Sequence, residues 1–288
     1  MRVVEQPDTA RRLCEGWRSE GLTVGLVPTM GALHDGHLSL VRAARGACDR
    51  LVASVFVNPT QFGAGEDFDT YARPFDRDGE LLRREGCDAI FAPSVEVMYG
   101  GPSPALSSSG ERVFVEPGRL GGVLEGEARP GHMRGVATVV AMLFNVLRPH
   151  RAYFGEKDYQ QLKLIQHMTR DLHLGVEVVP GPTVREPDGL AMSSRNANLS
   201  PPEREAALSL SRALRAAKEL AEGGERDGRE LERAMAGVCE AQPLVNLRYA
   251  SVVDAETLEP FRMLGEGPAR ALISADVGSV HLIDNAPL

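Results

Sequence analysis

The sequence predicts an α/β protein, with a Rossmann-like domain built on a parallel sheet over residues 1–183 and a smaller α+β domain over residues 184–288. In the first part, short apolar runs typical of buried strands alternate with stretches whose apolar residues recur at helical spacing. Such alternation is typical of a parallel sheet covered by helices. In the second part, two helical stretches come first and strand-like runs close the chain, which favours an α+β arrangement.

The first two strands are the clearest elements. Residues 22–28 form an apolar run that ends at a proline, and residues 51–57 form a second apolar run. Between them, Leu40, Val41 and Ala44 recur at the spacing of one helix face. We therefore predict a βαβ unit with a right-handed crossover.

The alternation continues through the rest of the first domain. We predict helices around Leu81 and over residues 136–147 and 162–172, and strands at residues 88–92, 152–154 and 176–179. Residues 100–110 are rich in Gly, Pro and Ser, which predicts a mobile surface loop.

The second domain begins with a strong helix signal. Ser200 and Glu203 form a capping box around two prolines, and the helix they begin continues to about Glu222. A glycine pair ends that helix, and Asp227 begins another. Strand-like runs follow at residues 245–253, 269–273 and 280–283.

The composition argues against several classes of function. The chain has 288 residues, of which 43% are hydrophobic, enough for a sizeable core. Its net charge is -8 and no basic stripe is present, which argues against nucleic-acid binding. The longest apolar stretch, residues 136–147, is too short to cross a bilayer, and no signal-peptide core begins the chain, so we expect a cytoplasmic protein without membrane contact. The four cysteines are widely spaced, which favours core thiols over zinc ligands.

The segment most indicative of chemistry is PTMGALHDGH, residues 28–37, at the junction of a predicted strand and helix. His34 and His37 are three residues apart and share a face where the helix starts. A helix N-terminus offers free N–H groups and a positive dipole end, which suit phosphate. Two imidazoles there can donate hydrogen bonds to phosphate oxygens during attack on phosphorus. The spacing would also fit a chance pair or a metal-binding pair.

Two further polar segments follow predicted strands or turns. The first is Gly155-Glu156-Lys157-Asp158, in which Lys157 is a natural phosphate contact. The second is Met192-Ser193-Ser194-Arg195, whose hydroxyl and guanidinium groups would clamp a triphosphate. Taken alone, the first would also fit a solvated turn and the second an ordinary loop.

Amide side chains complete the set of candidates. Asn58 and Gln61 follow the second strand, and an amide such as Gln61 suits a hydroxy acid or an amine because it both donates and accepts. Gln161 lies near the start of the helix that follows Asp158. Ligands of parallel sheets bind beyond the carboxyl ends of the strands, so we predict that these loops converge at one edge of the sheet.

Together, these segments closely resemble the pantothenate synthetase (pantoate–β-alanine ligase) family, within the nucleotidylyl-transferase superfamily that carries the HxGH motif. The matching stretches run in family order and cover nearly the whole chain. They are PTMGALHDGH, FVNPTQF, RPGHMRGVATVV, AYFGEKDYQQL, TVREPDGLAMSSRN and LIDN.

The resemblance implies a reaction. ATP and pantoate would give pantoyl adenylate and pyrophosphate, and β-alanine would then displace AMP to give pantothenate, a coenzyme A precursor. The resemblance also implies Mg²⁺ as a cofactor and a homodimer. Domain 1–183 would bind ATP and pantoate. Because an adenylate is labile to water, we expect domain 184–288 to act as a lid.

The family's site residues carry over by motif. The catalytic residues would be His37, which the family uses as a proton donor, together with His34, Lys157 and Arg195. Gln61 would bind both pantoate and β-alanine, and Gln161, Asn58 and Arg129 would bind pantoate. The residues implied for ATP are Met30, Gly31, Ala32, Leu33, His34, Asp35, Gly36, His37, Gly155, Glu156, Lys157, Asp158, Val184, Met192, Ser193, Ser194 and Arg195. No ligand of Mg²⁺ is implied.

Two other functions compete with this one. A nucleotidylyl transferase would leave AMP attached to its final product, whereas a ligase releases AMP. A non-catalytic nucleotide sensor would bind ATP without releasing pyrophosphate. The joint presence of both histidines, Lys157 and the Ser-Ser-Arg segment disfavours the sensor, which needs no such set.

Overall fold

The computed structural model describes residues 1–63, 65–100, 112–265 and 267–288. Within them the chain divides into two compact units. The first comprises Met1–Glu156 and Leu164–Pro182, and the second comprises Lys157–Lys163 and Thr183–Leu288. The predicted loop at residues 100–110 lies outside the described residues apart from its first glycine.

The first unit is built on a parallel sheet. Its strands are β1 (Arg2–Val4), β2 (Val24–Thr29), β3 (Arg50–Val55), β4 (Ala89–Phe91), β5 (Arg151–Gly155) and β6 (Glu177–Gly181). They lie in the order β1-β4-β3-β2-β5-β6, and every neighbouring pair is parallel. The chain moves outward from β2 through β3 to β4, then returns to β5 on the other side of β2. Ligands of open parallel sheets bind at such a reversal of strand order, beyond the carboxyl ends of the strands.

Helices alternate with these strands. They are α1 (Pro7–Ser19), α2 (Asp35–Ala47), α3 (Phe75–Arg84), α4 (Val95–Tyr99), α5 (Glu125–Ala128), α6 (His132–Leu147) and α7 (Tyr159–Asp171). Of these, α2, α3, α6 and α7 lie where the apolar spacing predicts a helix. The start of α7, up to Lys163, belongs to the second unit. The β2 and β3 strands bury nearly all their side chains, because helices cover a parallel sheet and leave no polar face. Val27, Leu51 and Ile90 from three neighbouring strands belong to one buried apolar cluster.

Two elements at the start of the chain are absent from the sequence prediction. The β1 strand has three residues and only Val4 is buried, so it offers almost no pattern to read. The α1 helix buries only Ala10 and Cys14 among thirteen residues. Its mostly polar sequence hides a narrow apolar stripe, although a proline in its first turn is a typical helix start.

The second unit contains an antiparallel sheet and two long helices. The helices are α8 (Pro201–Glu222) and α9 (Gly228–Glu240), and the strands are β7 (Val245–Asp254), β8 (Ala269–Val277) and β9 (Val280–Pro287). The strands pair in the order β7-β8-β9. The predicted capping box is present, with the Ser200 N–H donating to Glu203 at 2.8 Å. An α/β unit followed by a small antiparallel unit confirms the predicted fold class.

The core of the second unit forms where α8 packs on β8 and β9 and α9 packs on α8 and β7. Leu210, Leu231, Met235 and Ile273 are almost fully buried there. All four cysteines of the chain are buried and free, in agreement with the expectation of core thiols. None of the described helices combines the length and the apolar character that crossing a membrane requires.

Candidate active site

The loop after β2 has a backbone held in an unusual conformation. Gly31 and Ala32 both have positive φ, at 87° and 50°. The Asp78 carboxylate on α3 accepts hydrogen bonds from the N–H groups of Ala32 and Leu33 at 2.8 and 2.9 Å. Asp78 is only 1% exposed, and its burial raises the pKa of the carboxyl while the two N–H groups act to lower it. A buried carboxylate therefore fixes the strained turn that leads into the two histidines.

The geometry of His34 and His37 determines which ring nitrogen carries the proton. Nδ1 of His34 accepts a hydrogen bond from the N–H of Gly36 at 3.1 Å. Nδ1 of His37 accepts from the backbone N–H of His34 at 3.4 Å. A ring nitrogen that accepts is unprotonated, so a neutral imidazole then carries its proton on Nε2. Both rings, whose centroids are 4.1 Å apart, are thus Nε2–H donors at the start of α2.

Asn58 and Gln61 also lie together, just beyond the end of β3. Asn58 is 1% exposed and Gln61 is 8% exposed. The Nδ2 of Asn58 donates to Oε1 of Gln61 at 3.1 Å and to the carbonyl of Gly135 on α6 at 3.2 Å. The Nε2 of Gln61 lies 3.1 Å from the sulfur of Met30, in the loop after β2. The loops after two neighbouring strands, β2 and β3, therefore contact each other through Met30 and Gln61.

Arg129 contacts the backbone of Gln61 as part of a charged network. Its guanidinium binds both carboxylate oxygens of Glu66, at 2.9 and 2.6 Å, and approaches the Gln61 carbonyl at 3.4 Å. His132 donates from Nδ1 to the same carbonyl at 2.8 Å. Burial and the nearby Arg129 lower the pKa of His132 to about 4, so its ring is neutral and its Nε2 accepts from Arg129 at 3.2 Å. The network holds the main chain of Gln61 in place.

The end of β5 brings another predicted segment to the same edge of the sheet. The β5 strand pairs directly with β2, through Gly25 with Arg151 and Leu26 with Ala152. The carboxyl end of β5 leads to Gly155 and Glu156, as the carboxyl end of β2 leads to Met30. The reversal of strand order thus lies between the two segments that the sequence predicts to contact phosphate.

Lys157 and Asp158 follow in the chain and belong to the second unit. The Lys157 side chain is 20% exposed, and its ammonium lies 3.6 Å from the Asp158 carboxylate. The side-chain amide of Asn285 on β9 donates to the Lys157 carbonyl at 2.8 Å. Arg270 in turn donates to Oδ1 of Asn285 at 2.8 Å. Asn285 of the LIDN segment therefore holds the backbone of Lys157, the lysine that the sequence predicts to contact phosphate.

The serine-arginine segment is also in the second unit. Ser193 accepts from the N–H of Arg195 at 3.3 Å and begins a short 3-10 turn over Ser194–Asn198. Met192 donates its N–H to the carbonyl of Val184 at 3.0 Å, which joins two of the residues implied for ATP.

Gln161 is half-buried near the start of α7.

A cavity of about 340 Å³ lies at the carboxyl edge of the first unit's sheet. Met30 and Gly31 line it after β2, Val55 lines it at the end of β3, and Ser94 lines it after β4. Its volume is in the range of small-molecule sites, which begin near roughly 300 Å³. Among the described residues no cluster of three or more His, Cys, Asp or Glu side chains has the arrangement of a metal site.

The fold and these contacts define a class of protein. The parallel sheet reverses its strand order, and two Nε2–H histidines lie at the helix start beside the reversal. These features are typical of α/β proteins that bind the phosphate of a nucleotide. The model of the "Pantoate-beta-alanine ligase" family matches residues 2–287. A pantothenate synthetase from Rubrobacter xylanophilus is 66% identical over 286 residues, covering 99% of this chain and 98% of that protein.

Solved structures agree with this match. The pantothenate synthetase of Thermus thermophilus has a TM-score of 0.89 and 46% identity, with 99% of each chain covered. The pantoate-β-alanine ligase of Francisella tularensis, solved as a complex with "Beta-gamma ATP" and β-alanine, has a TM-score of 0.79 and 31% identity, covering 100% of this chain and 97% of that one. The chain belongs to the pantoate-β-alanine ligase family. Its reaction is the ATP-dependent joining of pantoate to β-alanine.

Sequence reasoning missed several residues that hold this site. Asp78, Tyr99, His132 and Asn285 each make contacts with the predicted residues, yet none was assigned a role. Asn285 and His132 lie within the stretches LIDN and RPGHMRGVATVV, which match the family. Their positions could therefore have marked them as candidate site residues. Asp78 and Tyr99 lie outside every matched stretch, and only the fold reveals their contacts.

Proposed function

We propose that the chain performs this reaction in two steps, through pantoyl adenylate. The pantoate carboxylate forms a bond to the α-phosphorus of ATP, and the bond from that phosphorus to the β-phosphate oxygen breaks to release pyrophosphate. The amine of β-alanine then bonds to the acyl carbon, loses a proton, and displaces AMP. No covalent enzyme intermediate is required, so the positioning of the substrates and electrostatic stabilisation account for the rate acceleration.

The observation that carries the proposal is the pair of Nε2–H imidazoles at the start of α2. Their Nδ1 atoms are occupied by backbone N–H groups, which leaves each ring with an N–H donor. A fixed donor is more effective than water when charge shifts on phosphate oxygens, because no reorganisation is needed at the moment of reaction. We assign both histidines to the phosphates, with His37 as the proton donor.

The remaining ATP contacts are assigned by residue. Lys157 and Arg195 offset phosphate charge in this proposal, and the hydroxyls of Ser193 and Ser194 bind phosphate oxygens. The backbone of the loop after β2 and of the segment after β5 lines the nucleotide. The full proposed set is Met30, Gly31, Ala32, Leu33, His34, Asp35, Gly36, His37, Gly155, Glu156, Lys157, Asp158, Val184, Met192, Ser193, Ser194 and Arg195.

Gln61 and Gln161 are the proposed contacts of the acid, and Gln61 also serves β-alanine. Asn58 and Arg129 support Gln61 in this scheme: Asn58 binds its side chain and Arg129 approaches its carbonyl. The Arg129 guanidinium is also paired with Glu66. We therefore expect both residues to act on pantoate mainly through Gln61.

We further propose that Mg²⁺ enters with ATP, since magnesium in proteins usually binds through substrate phosphates and retains several waters. A homodimer in the cytoplasm is the proposed working state, as the family resemblance implies.

Product analysis tests the function directly. Purified protein with ATP, Mg²⁺, pantoate and β-alanine is expected to yield pantothenate, AMP and pyrophosphate in equal amounts, and chelation of Mg²⁺ is expected to stop all three. Chromatography with mass detection measures the products. A final product that retains AMP would instead identify a nucleotidylyl transferase, and ATP binding without any pyrophosphate would identify a sensor.

A further inference from the structure

Tyr99, at the end of α4, has no role in the proposed function, yet its hydroxyl contacts the buried amide next to Gln61. The phenolic oxygen lies 2.6 Å from Oδ1 of Asn58. The hydroxyl and N–H of Thr60 lie 2.9 and 3.3 Å from the same oxygen. Asn58 is 1% exposed, so water does not compete for these positions.

The partners on the other side of Asn58 determine how its amide is oriented. The backbone carbonyl of Gly135, at 3.2 Å, can only accept a hydrogen bond. The amide group facing it must therefore be the NH₂, which places Oδ1 towards Tyr99 and makes the tyrosine hydroxyl the donor. A Cβ at position 135 would collide with the Thr60 carbonyl, so glycine allows α6 to approach closely enough for this bond.

This orientation is transmitted to Gln61. The NH₂ of Asn58 also faces the Gln61 side chain at 3.1 Å, so the atom it meets must be the acceptor Oε1. The other end of the Gln61 amide is then the NH₂, beside the sulfur of Met30 at 3.1 Å. Sulfur is a weak acceptor, so it leaves this donor available to a stronger one.

We infer that Tyr99 is a positioning residue: its hydroxyl fixes the Asn58 amide, and Asn58 fixes Gln61 so that Gln61 offers an N–H donor to an oxygen atom of the acid or of β-alanine. The inference rests on the proposed function of Gln61 and adds the direction of its hydrogen bond. The carboxylates and hydroxyls of both substrates supply suitable acceptor oxygens.

Tyr99→Phe removes only the hydroxyl and keeps the ring that packs near Phe56. Because Thr60 still binds Oδ1 of Asn58, we expect a partial effect, a fall of roughly three- to tenfold in kcat/KM for pantoate and β-alanine. The KM for ATP is expected to stay within about twofold of the wild-type value. Tyr153→Phe is the matched control, since it removes the buried hydroxyl of a different tyrosine, 3.7 Å from the sulfur of Cys48.

The decisive arm repeats Tyr99→Phe in a Gln61→Ala background. If Tyr99 acts through Gln61, the second substitution adds no more than about a twofold loss there. An equal loss in both backgrounds, an equal loss for ATP, or the same losses in Tyr153→Phe would overturn the inference, since each indicates a general structural effect. Unchanged kinetics in Tyr99→Phe would overturn it too. If Gln61→Ala alone has wild-type kinetics, the proposed role of Gln61 fails first and the inference fails with it.

Discussion

Replacing His37 or Lys157 with alanine is expected to slow pantoyl adenylate formation by about 10²–10³-fold, the usual loss for a fixed donor to developing charge. His37 is an Nε2–H donor at the start of α2, and Lys157 is a partly buried cation whose main chain is held by Asn285. Both side chains should stabilise the transition state, in which negative charge builds up on the departing pyrophosphate, more than the resting complex. ATP affinity should therefore change much less than the rate.

Rapid quenching of a single turnover with ATP and pantoate measures this step. Purified pantoyl adenylate, supplied with β-alanine, bypasses it, and that second half-reaction should remain close to wild type in both variants. Lys218→Ala, which removes an exposed lysine on α8, is the matched control and should leave both half-reactions unchanged. Equal damage to the two half-reactions would contradict the assignment of His37 and Lys157 to the first step.

The alternative role for His37 is that of a helix cap. Its Nδ1 does accept from the His34 N–H, although the distance of 3.4 Å indicates a weak bond. Losing a cap usually costs about 0.5–2 kcal/mol of stability. A variant that only melts earlier, and forms the adenylate at the wild-type rate when assayed well below its melting temperature, would favour the cap over catalysis.

The second large effect is expected at Asp78. Asp78→Ala removes the hydrogen-bond acceptor of the Ala32 and Leu33 N–H groups, in a turn with positive φ. Each lost partner costs roughly 1–3 kcal/mol, so the turn is expected to relax and carry the histidines with it. A displacement of about 1 Å can reduce a rate about 10²-fold, and we expect a loss of that order in adenylate formation.

Two companion variants sharpen the Asp78 prediction. Asp78→Asn keeps one carbonyl oxygen as an acceptor and should retain part of the activity. Asp76→Ala removes an exposed carboxylate from the same turn of α3 and should behave as wild type. Single-turnover rates and melting temperatures of the three variants provide the comparison. Adenylate formation at the wild-type rate in Asp78→Ala would show that the histidines do not depend on this carboxylate.

The sequence predicted most of the fold because the parallel strands are buried on both faces. The apolar runs over residues 22–28 and 51–57 leave few alternatives to a buried strand, and both are present as β2 and β3. The short β1 strand and the mostly polar α1 helix were missed because their burial depends on neighbours that come later in the chain. The β9 strand, Val280–Pro287, is longer than its predicted run because edge pairing with β8 extends beyond the apolar residues.

The candidate site was predictable where its residues closely follow a strand. The position after a parallel strand implies the edge of the sheet, so Met30, Asn58 and Gln61 could be expected near one another. Asp78 and Tyr99 could not, since their partners lie more than forty residues earlier in the chain. Ordinary helical residues such as these gain a role only through hydrogen bonds that the fold creates.

The tautomers of the two histidines were equally hidden from the sequence. The HxGH spacing predicts a shared helix face but leaves open which ring nitrogen donates. The backbone N–H groups of His34 and Gly36 decide it, and they do so because the turn places His34 just before α2 begins.

Isotope exchange between pyrophosphate and ATP tests the central claim most directly, because it reports reversible formation of the adenylate. With ATP, Mg²⁺ and pantoate but no β-alanine, the protein should transfer labelled pyrophosphate into ATP, and omitting pantoate should abolish the transfer. Exchange that appears only when β-alanine is added would contradict the two-step reaction through pantoyl adenylate.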